Sequence, residues 1–455
     1  MINNYAKFYL TIVLAFIALG SFAQSTTNTS SPYSRYGIGD VSSGLLPQNI
    51  AIGGIGAATN SIGGAYANIN TMNPAANGNI GFFGKTVIDI GVSSSTLFLS
   101  QTGQSSARNT NANLSHIAFG IPITKNGPMT SAVTFGLQPY SALGYNYVKN
   151  LPRGYGTSSS VDTNSTNYIY QGEGGLNKFY IGYGVTLWKH LSLGANTSYI
   201  FGDLKQSESV EIPGLYGTLN SRAEQDQAIK GFNFNIGAQY AFNFDLDKHL
   251  TFGYASQLSS NLTSQATYIV SQYTLTSGVA NVAADSLVNQ QGVKTTMHLP
   301  NINHFGVVYQ KDGKFMVGAD YSIGKWSQLT IGGVNQGLLD SKTFNIGGQY
   351  TPNINEIGNY WAAVDYRLGF IYDQTYLNVP NATGSGYTNI KTKTITFGLG
   401  LPLKPTFSQA FYKINFGVEL GDRGTVQNGL VRENFVNIHL GFMINDTWFN
   451  RFKFQ

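Results

Sequence analysis

Residues 231–244 read Gly-Phe-Asn-Phe-Asn-Ile-Gly-Ala-Gln-Tyr-Ala-Phe-Asn-Phe. Phe232, Phe234, Ile236, Ala238, Tyr240, Phe242 and Phe244 fall on one parity, and Gly231, Asn233, Asn235, Gly237, Gln239, Ala241 and Asn243 on the other. A period of two places these sets on opposite faces of a β-strand. One face is greasy and the other is small and polar. A single strand of this kind suits a soluble sandwich as well as a membrane wall, so its companions decide the fold.

Fourteen such runs occur, at roughly 84–99, 113–123, 129–145, 176–189, 191–204, 228–244, 249–262, 295–310, 314–327, 342–352, 360–372, 391–403, 410–423 and 432–446. Each reaches the ~9 to 11 residues that cross a bilayer at a tilt, and the number is even, as in bacterial outer-membrane barrels. The connections alternate in length: 124–128, 189–190, 245–248, 311–313, 353–359 and 404–409 are short. Those at 100–112, 146–175, 205–227, 263–294, 328–341 and 373–390 are long, with 424–431 intermediate. This rhythm predicts an all-β chain forming a 14-stranded antiparallel transmembrane β-barrel over 84–446, its short turns periplasmic and its long loops extracellular. Trp188, Trp326, Trp361 and Trp448 lie at or just beyond the ends of runs, where an aromatic girdle is expected.

Composition agrees. Charged residues make up 11% of the 455, against about 25% in ordinary soluble proteins, alongside 54 Gly, 28 Tyr and 28 Phe. Lys7, the apolar core 8–19 and Ser21-Phe22-Ala23 form a secretory signal peptide over 1–23. With no Cys there is no lipoprotein anchor, disulfide or thiol chemistry. The formal charge of +5 is too weak and dispersed for a nucleic-acid partner. Surrounding outer-membrane lipid is the one obligatory partner. Residues 24–46 begin Ser/Thr-rich and are expected as a flexible periplasmic segment, and 447–455 as a periplasmic C-terminal tail.

Between them and the first strand lies PQNIAIGGIGAATNSIGGAYANINTMNPAANGNIG, residues 47–81. It is apolar but small, with Gly53, Gly54, Gly56, Gly63 and Gly64, and it closes on Asn73-Pro74-Ala75. Neither helical nor strand periodicity persists in it, which suits a compact plug over 47–83. In the third run, Pro139 stands mid-strand. It has no N–H for the ladder, so a break in wall pairing is expected there, either a bulge or a functional opening.

With the greasy face outward, Asp89, His116, His304, Asp320, Asp365, Arg367, Lys413, Glu419 and His439 face the lumen. Charges on the lipid face would cost about 2 to 4 kcal/mol each at the midplane. These groups read either as a polar network that holds the plug or as a ligand or ion pathway. The six His show no metal-ligand spacing, and no nucleophile elbow or Walker loop is present. No metal, no cofactor and no enzymatic activity are expected.

The chain resembles the FadL-type outer-membrane transporters of hydrophobic compounds. The matching features are the Gly/Ala-rich segment ending Asn73-Pro74-Ala75, Leu299-Pro300, Ala319-Asp320-Tyr321 with Trp326-Ser327, and Tyr366-Arg367-Leu368-Gly369. It is most similar to the Bacteroidetes branch, through SPYSRYGIGD (31–40), Phe416–Gly421 and Asp446–Phe449. The resemblance implies that 47–83 is a hatch inside the lumen and that the third strand, around Gly136 and Pro139, opens the wall sideways. It also implies passive uptake of a hydrophobic ligand without a cofactor. The same fold serves equally as a non-transporting subunit of a larger outer-membrane complex, whose partners would be other outer-membrane proteins engaged in secretion, barrel assembly or motility.

Overall fold

The computed structural model describes residues 29–447 apart from 63, 65, 126, 152–163, 277, 357, 383, 385 and 404–409. The signal peptide, Gly63, Trp448 and the tail from 448 onward lie outside the described residues. Fourteen antiparallel strands form the wall: β1 (Thr86–Ser100), β2 (Ala107–Thr124), β3 (Met129–Leu151), β4 (Thr166–Leu187), β5 (Leu191–Glu211), β6 (Asn220–Asp245), β7 (Lys248–Gln257 and Ser260–Tyr273), β8 (Asp285–Leu299 and Ile302–Lys311), β9 (Phe315–Gly324), β10 (Ser341–Tyr350), β11 (Asp365–Pro380), β12 (Tyr387–Leu403), β13 (Phe411–Gly424) and β14 (Arg432–Asp446). Each pairs with the next, and β14 pairs back onto β1 from Asp446 opposite Thr86 to Arg432 opposite Ser100. Closure is what a bilayer demands, because its core offers no hydrogen bonds to an unpaired backbone.

The parity of β6 is realised in space. Phe232 and Phe244 are 57% and 67% exposed on the outer face, whereas Asn233 and Gln239 are 0% and 3% exposed inside. The same holds around the wall, with Ile181 on β4, Phe305 on β8, Leu368 on β11 and Leu440 on β14 all outward.

Several strands exceed their apolar runs. β3 to β8 continue well toward the long-loop end, so much of 146–175, 205–227 and 263–294 is strand rather than loop. Alternation disappears there because the outward face has turned polar as well. Outward-facing Glu173, Lys205, Asp226 and Thr267 stand in register on four neighbouring strands. Pro300 interrupts the eighth strand midway, since it cannot donate to the ladder.

Trp326 corrects the girdle expectation. It lies 3% exposed on a short helical turn, Trp326–Gln328, that folds into the lumen after β9. There it joins Ile38, Leu143 and Leu329 in an internal apolar cluster and packs 4.7 Å from the Tyr376 ring. Trp188 and Trp361 are outward and exposed at the short-turn end. Residues 29–46 also depart from the periplasmic lead-in expected for them. Their buried Tyr33 and Ile38 draw them into the long-loop half of the lumen.

Ile236→Lys should lower the unfolding free energy in lipid vesicles by about 2 to 4 kcal/mol, and Asp226→Lys, above the belt, by less than about 1 kcal/mol. Urea titration of the two variants checks where the wall leaves the membrane.

Candidate functional site

The lumen is occupied by residues 45–83. A buried helical turn, Pro47–Ile50, leads through Gly53 and Gly54, whose φ of +78° and +71° only glycine adopts without strain. The chain then crosses to Asn73, which caps the turn Pro74–Asn79, and ends in Ile80–Phe83 at the short-turn end. Asn73 serves both roles open to an amide. Its Oδ1 accepts from Ala75 N at 3.0 Å, while its Nδ2 donates to Ala57 O at 2.6 Å and to the wall carbonyls Tyr254 O at 3.2 Å and Ala238 O at 3.3 Å. Pro74 follows at the first helical position, where no N–H is missed. Gly56 lies against Met72 and Leu45, and Gly64 closes a turn onto Ser61 O at 3.1 Å.

The wall meets this segment backbone to backbone. A Cβ on Gly194 would lie 2.4 Å from the Pro74 carbonyl carbon, on Gly253 2.0 Å from Ala57 O, on Gly347 2.2 Å from Ile52 O and on Gly369 2.1 Å from Gly53 N. Gly237 faces the Asn73 side chain and Gly398 the Ala51 methyl. Gly194 stands opposite Gly237 and Gly347 opposite Gly369, while Gly253 and Gly398 lie two residues off their neighbours' rows, so the six form one band of the wall. Any side chain at that level would push the segment out of the lumen.

Polar side chains complete the seat. Asp320 Oδ2 accepts from Gly56 N at 2.7 Å and Ala57 N at 2.8 Å. Asn345 donates to Gly53 O, Thr396 accepts from Gly53 N, and Asn445 brackets Ala67 through both its N–H and its carbonyl. Asp365 gathers Arg367 at 2.9 Å, the Lys413 ammonium, Thr351 at 2.8 Å and the Tyr66 hydroxyl of the plug at 2.7 Å. Lys413 also lies 3.7 Å from the centroid of the Tyr66 ring. Asp89 binds His116 at 3.0 Å and accepts from Gln48 at 3.1 Å.

The nine inward groups therefore divide. Asp89, Asp320, Asp365 and Lys413 touch the plug, and His116 and Arg367 act through Asp89 and Asp365. Glu419 with His439 (3.1 Å) and His304 with Ser322 (2.7 Å) form wall pairs of their own. Among the described residues no group of three or more His, Asp or Glu could hold a metal ion. Sequence reasoning missed Asn345, Thr396, Asn445 and the glycine level. Inward-parity glycines recurring in run after run were the available signal.

The wall is interrupted between β2 and β3. Their mutual pairing runs from Thr124 opposite Ser131 to Ile117 opposite Leu137 and goes no further. On its other side β3 bulges against β4 between Pro139 and Ser141, so inward parity shifts from even to odd and Leu143 and Tyr145 turn inside. Gly136 lies just below, with Tyr180 packed over it.

Residues 34–42 lie along the β3 edge that β2 leaves. Asp40 and Val41 pair with Ala142 and Ser141, Ser42 N donates to Tyr140 O at 2.9 Å, and Gly144 N donates to Ser34 Oγ at 3.1 Å. This strap is tied down by Asp40 to Arg423 (2.7 Å), Arg35 to Glu208 (2.7 Å) and Ser31 to Glu433 (2.5 Å). Burial pushes the Tyr33 hydroxyl above its ordinary pKa, so it stays a neutral donor to Val431 O.

The BamG family model matches residues 1–455, and the chain belongs to that family. No curated protein matches it. Among solved structures, the Pseudomonas putida toluene transporter TodX aligns over 90% of this chain and 100% of its own, at 14% identity and a TM-score of 0.53. A Pseudomonas aeruginosa FadL homologue does so over 90% and 100%, at 13% identity and a TM-score of 0.52. At such identities the likeness is one of fold: a FadL-type outer-membrane barrel of fourteen strands.

Asp365→Ala should cost about 3 to 5 kcal/mol by stranding Lys413 and Arg367 in the lumen. Asp320→Ala should cost about 1 to 3 kcal/mol for each amide it leaves without an acceptor. Urea unfolding in vesicles measures both, and a Glu419→Gln control, away from the plug, should leave protease access to 47–83 unchanged.

Proposed function

We propose that this barrel is a non-transporting subunit of a larger outer-membrane complex that assembles β-barrel proteins. The observation that supports this reading is a lumen filled by the chain itself. The plug is held at backbone contact by the glycine level. Above it, the inward apolar side chains Tyr140, Leu143, Trp326 and Leu329 enclose Ile38 of the strap, in the space a hydrophobic ligand would need. The family name, BamG, hints at the same role. The barrel then offers its partners a rigid wall and tall β3–β8 extensions, with no catalysis and no cofactor, in the outer membrane of a Gram-negative bacterium of the Bacteroidetes.

One observation favours a second reading. The ladder interruption beside Pro139 is where a FadL-type uptake route through hatch and wall would open, and TodX is a toluene transporter. On that reading a hydrophobic small molecule enters from outside, displaces the strap and leaves sideways into the bilayer.

Two measurements separate them. Purification from native membrane in mild detergent should return other outer-membrane proteins in fixed ratio, and removing the protein should leave uptake of toluene-like compounds within about twofold. A solitary barrel, together with uptake that falls on Pro139→Ala, overturns the first reading in favour of the second.

A further inference from the structure

We propose that the outer wall of β10 to β12 binds a phosphorylated lipid of the surrounding leaflet, its headgroup on Lys342, Lys391 and Lys393 and an acyl chain in the groove below them. Cross-strand register builds the site. Lys342, Gln374 and Lys391 stand opposite one another on successive strands, and the next row toward the short turns is Phe344, Tyr372 and Lys393. The row below that is Ile346, Phe370 and Ile395, wholly apolar. Outward chemistry thus passes from basic, through aromatic and basic, to apolar within about 13 Å of strand.

The three lysines are exposed and, among the described residues, none has a carboxylate partner at salt-bridge distance. Asp422, the cross-strand neighbour of Lys393, is taken by Arg432 at 3.3 Å. Directly below, Ile346, Tyr350, Leu368, Phe370 and Ile395 frame a groove in which Gly348 contributes no side chain. Its walls are outward-facing, with Leu368 64% exposed.

Cations at the rim of the apolar belt and a groove leading from them into it match the two halves of one amphiphile. A soluble anion would have no use for the groove, and a neutral lipid none for the lysines. Long Lys side chains reach interfacial phosphates while their stems stay on apolar surface. The inference goes beyond either functional reading and depends on neither, because both place this wall in the membrane.

The test is native mass spectrometry of the full mature protein in mild detergent, titrated with diphosphorylated lipid A. The wild type should retain the lipid. The triple variant K342Q/K391Q/K393Q should bind on the order of a hundredfold more weakly, as three interfacial cations are lost. Leu368→Gln should weaken binding several-fold with the lysines intact, and an equal excess of inorganic phosphate should not displace the lipid. Heat-dependent gel mobility confirms that both variants are folded. Equal retention by the triple variant, indifference to Leu368→Gln, or displacement by inorganic phosphate overturns the proposal.

Discussion

The structure depends on one contact, main chain against main chain, between residues 51–57 and 73–78 and the inner surface of the barrel. A fourteen-stranded wall encloses more space than its own side chains fill. In this protein the space is taken by a segment with only short helical turns, most of whose amide and carbonyl groups would otherwise lie buried without partners. Inward glycines let it reach the wall. Asp320, Asn345, Thr396 and Asn445 then supply the donors and acceptors that a strand or helix would have supplied internally. Removing either half leaves the other without purpose. Bulk at the glycine level excludes the segment, and loss of the polar groups leaves its backbone unsatisfied.

The charges follow the same logic. A buried carboxylate is tolerable when it meets cations and donors on every side, and Asp365 meets Arg367, Lys413, Thr351 and the plug's own Tyr66. Such a cluster is poorly suited to releasing one member. The plug is thus tied into the wall's electrostatics as well as its packing, and the strap from Ser31 to Ser42 adds a second layer above it. Because the strap pairs with β3 where β2 does not, the wall interruption and the N-terminal segment are one feature seen from two sides.

Much of this was legible in the residues. Parity in 231–244 gives the belt, and repeating it gives strand number, order and the lumenal position of Asp89, Asp320 and Asp365. Lack of periodicity in 47–81 sets that segment apart from the wall strands. Three things were hidden, each for a physical reason. Residues such as Lys205 to Glu211 continue β5 where the outward face is polar too, and alternation vanishes with the bilayer that imposes it. Trp326 stands where a girdle residue would, but after Gly324 the chain turns inward toward Ile38, a partner nearly three hundred residues away. The glycine level is spread over separate strands from Gly194 to Gly398, so no local window distinguishes it from ordinary turn glycine. The chain tightens from Ser31 in the residues too, but nothing local shows that Tyr33 and Ile38 are buried in the lumen.

What separates a subunit from a channel is therefore whether the plug leaves its seat while the barrel stays folded. Hydrogen exchange at the Gly56 and Ala57 amides, both donated to Asp320, reads this directly in the lipid-reconstituted protein. A permanently seated plug predicts that these amides exchange only with global unfolding of the barrel, as slowly as central wall amides such as Gly369. Exchange many orders of magnitude faster than the wall, with the barrel intact, would contradict it.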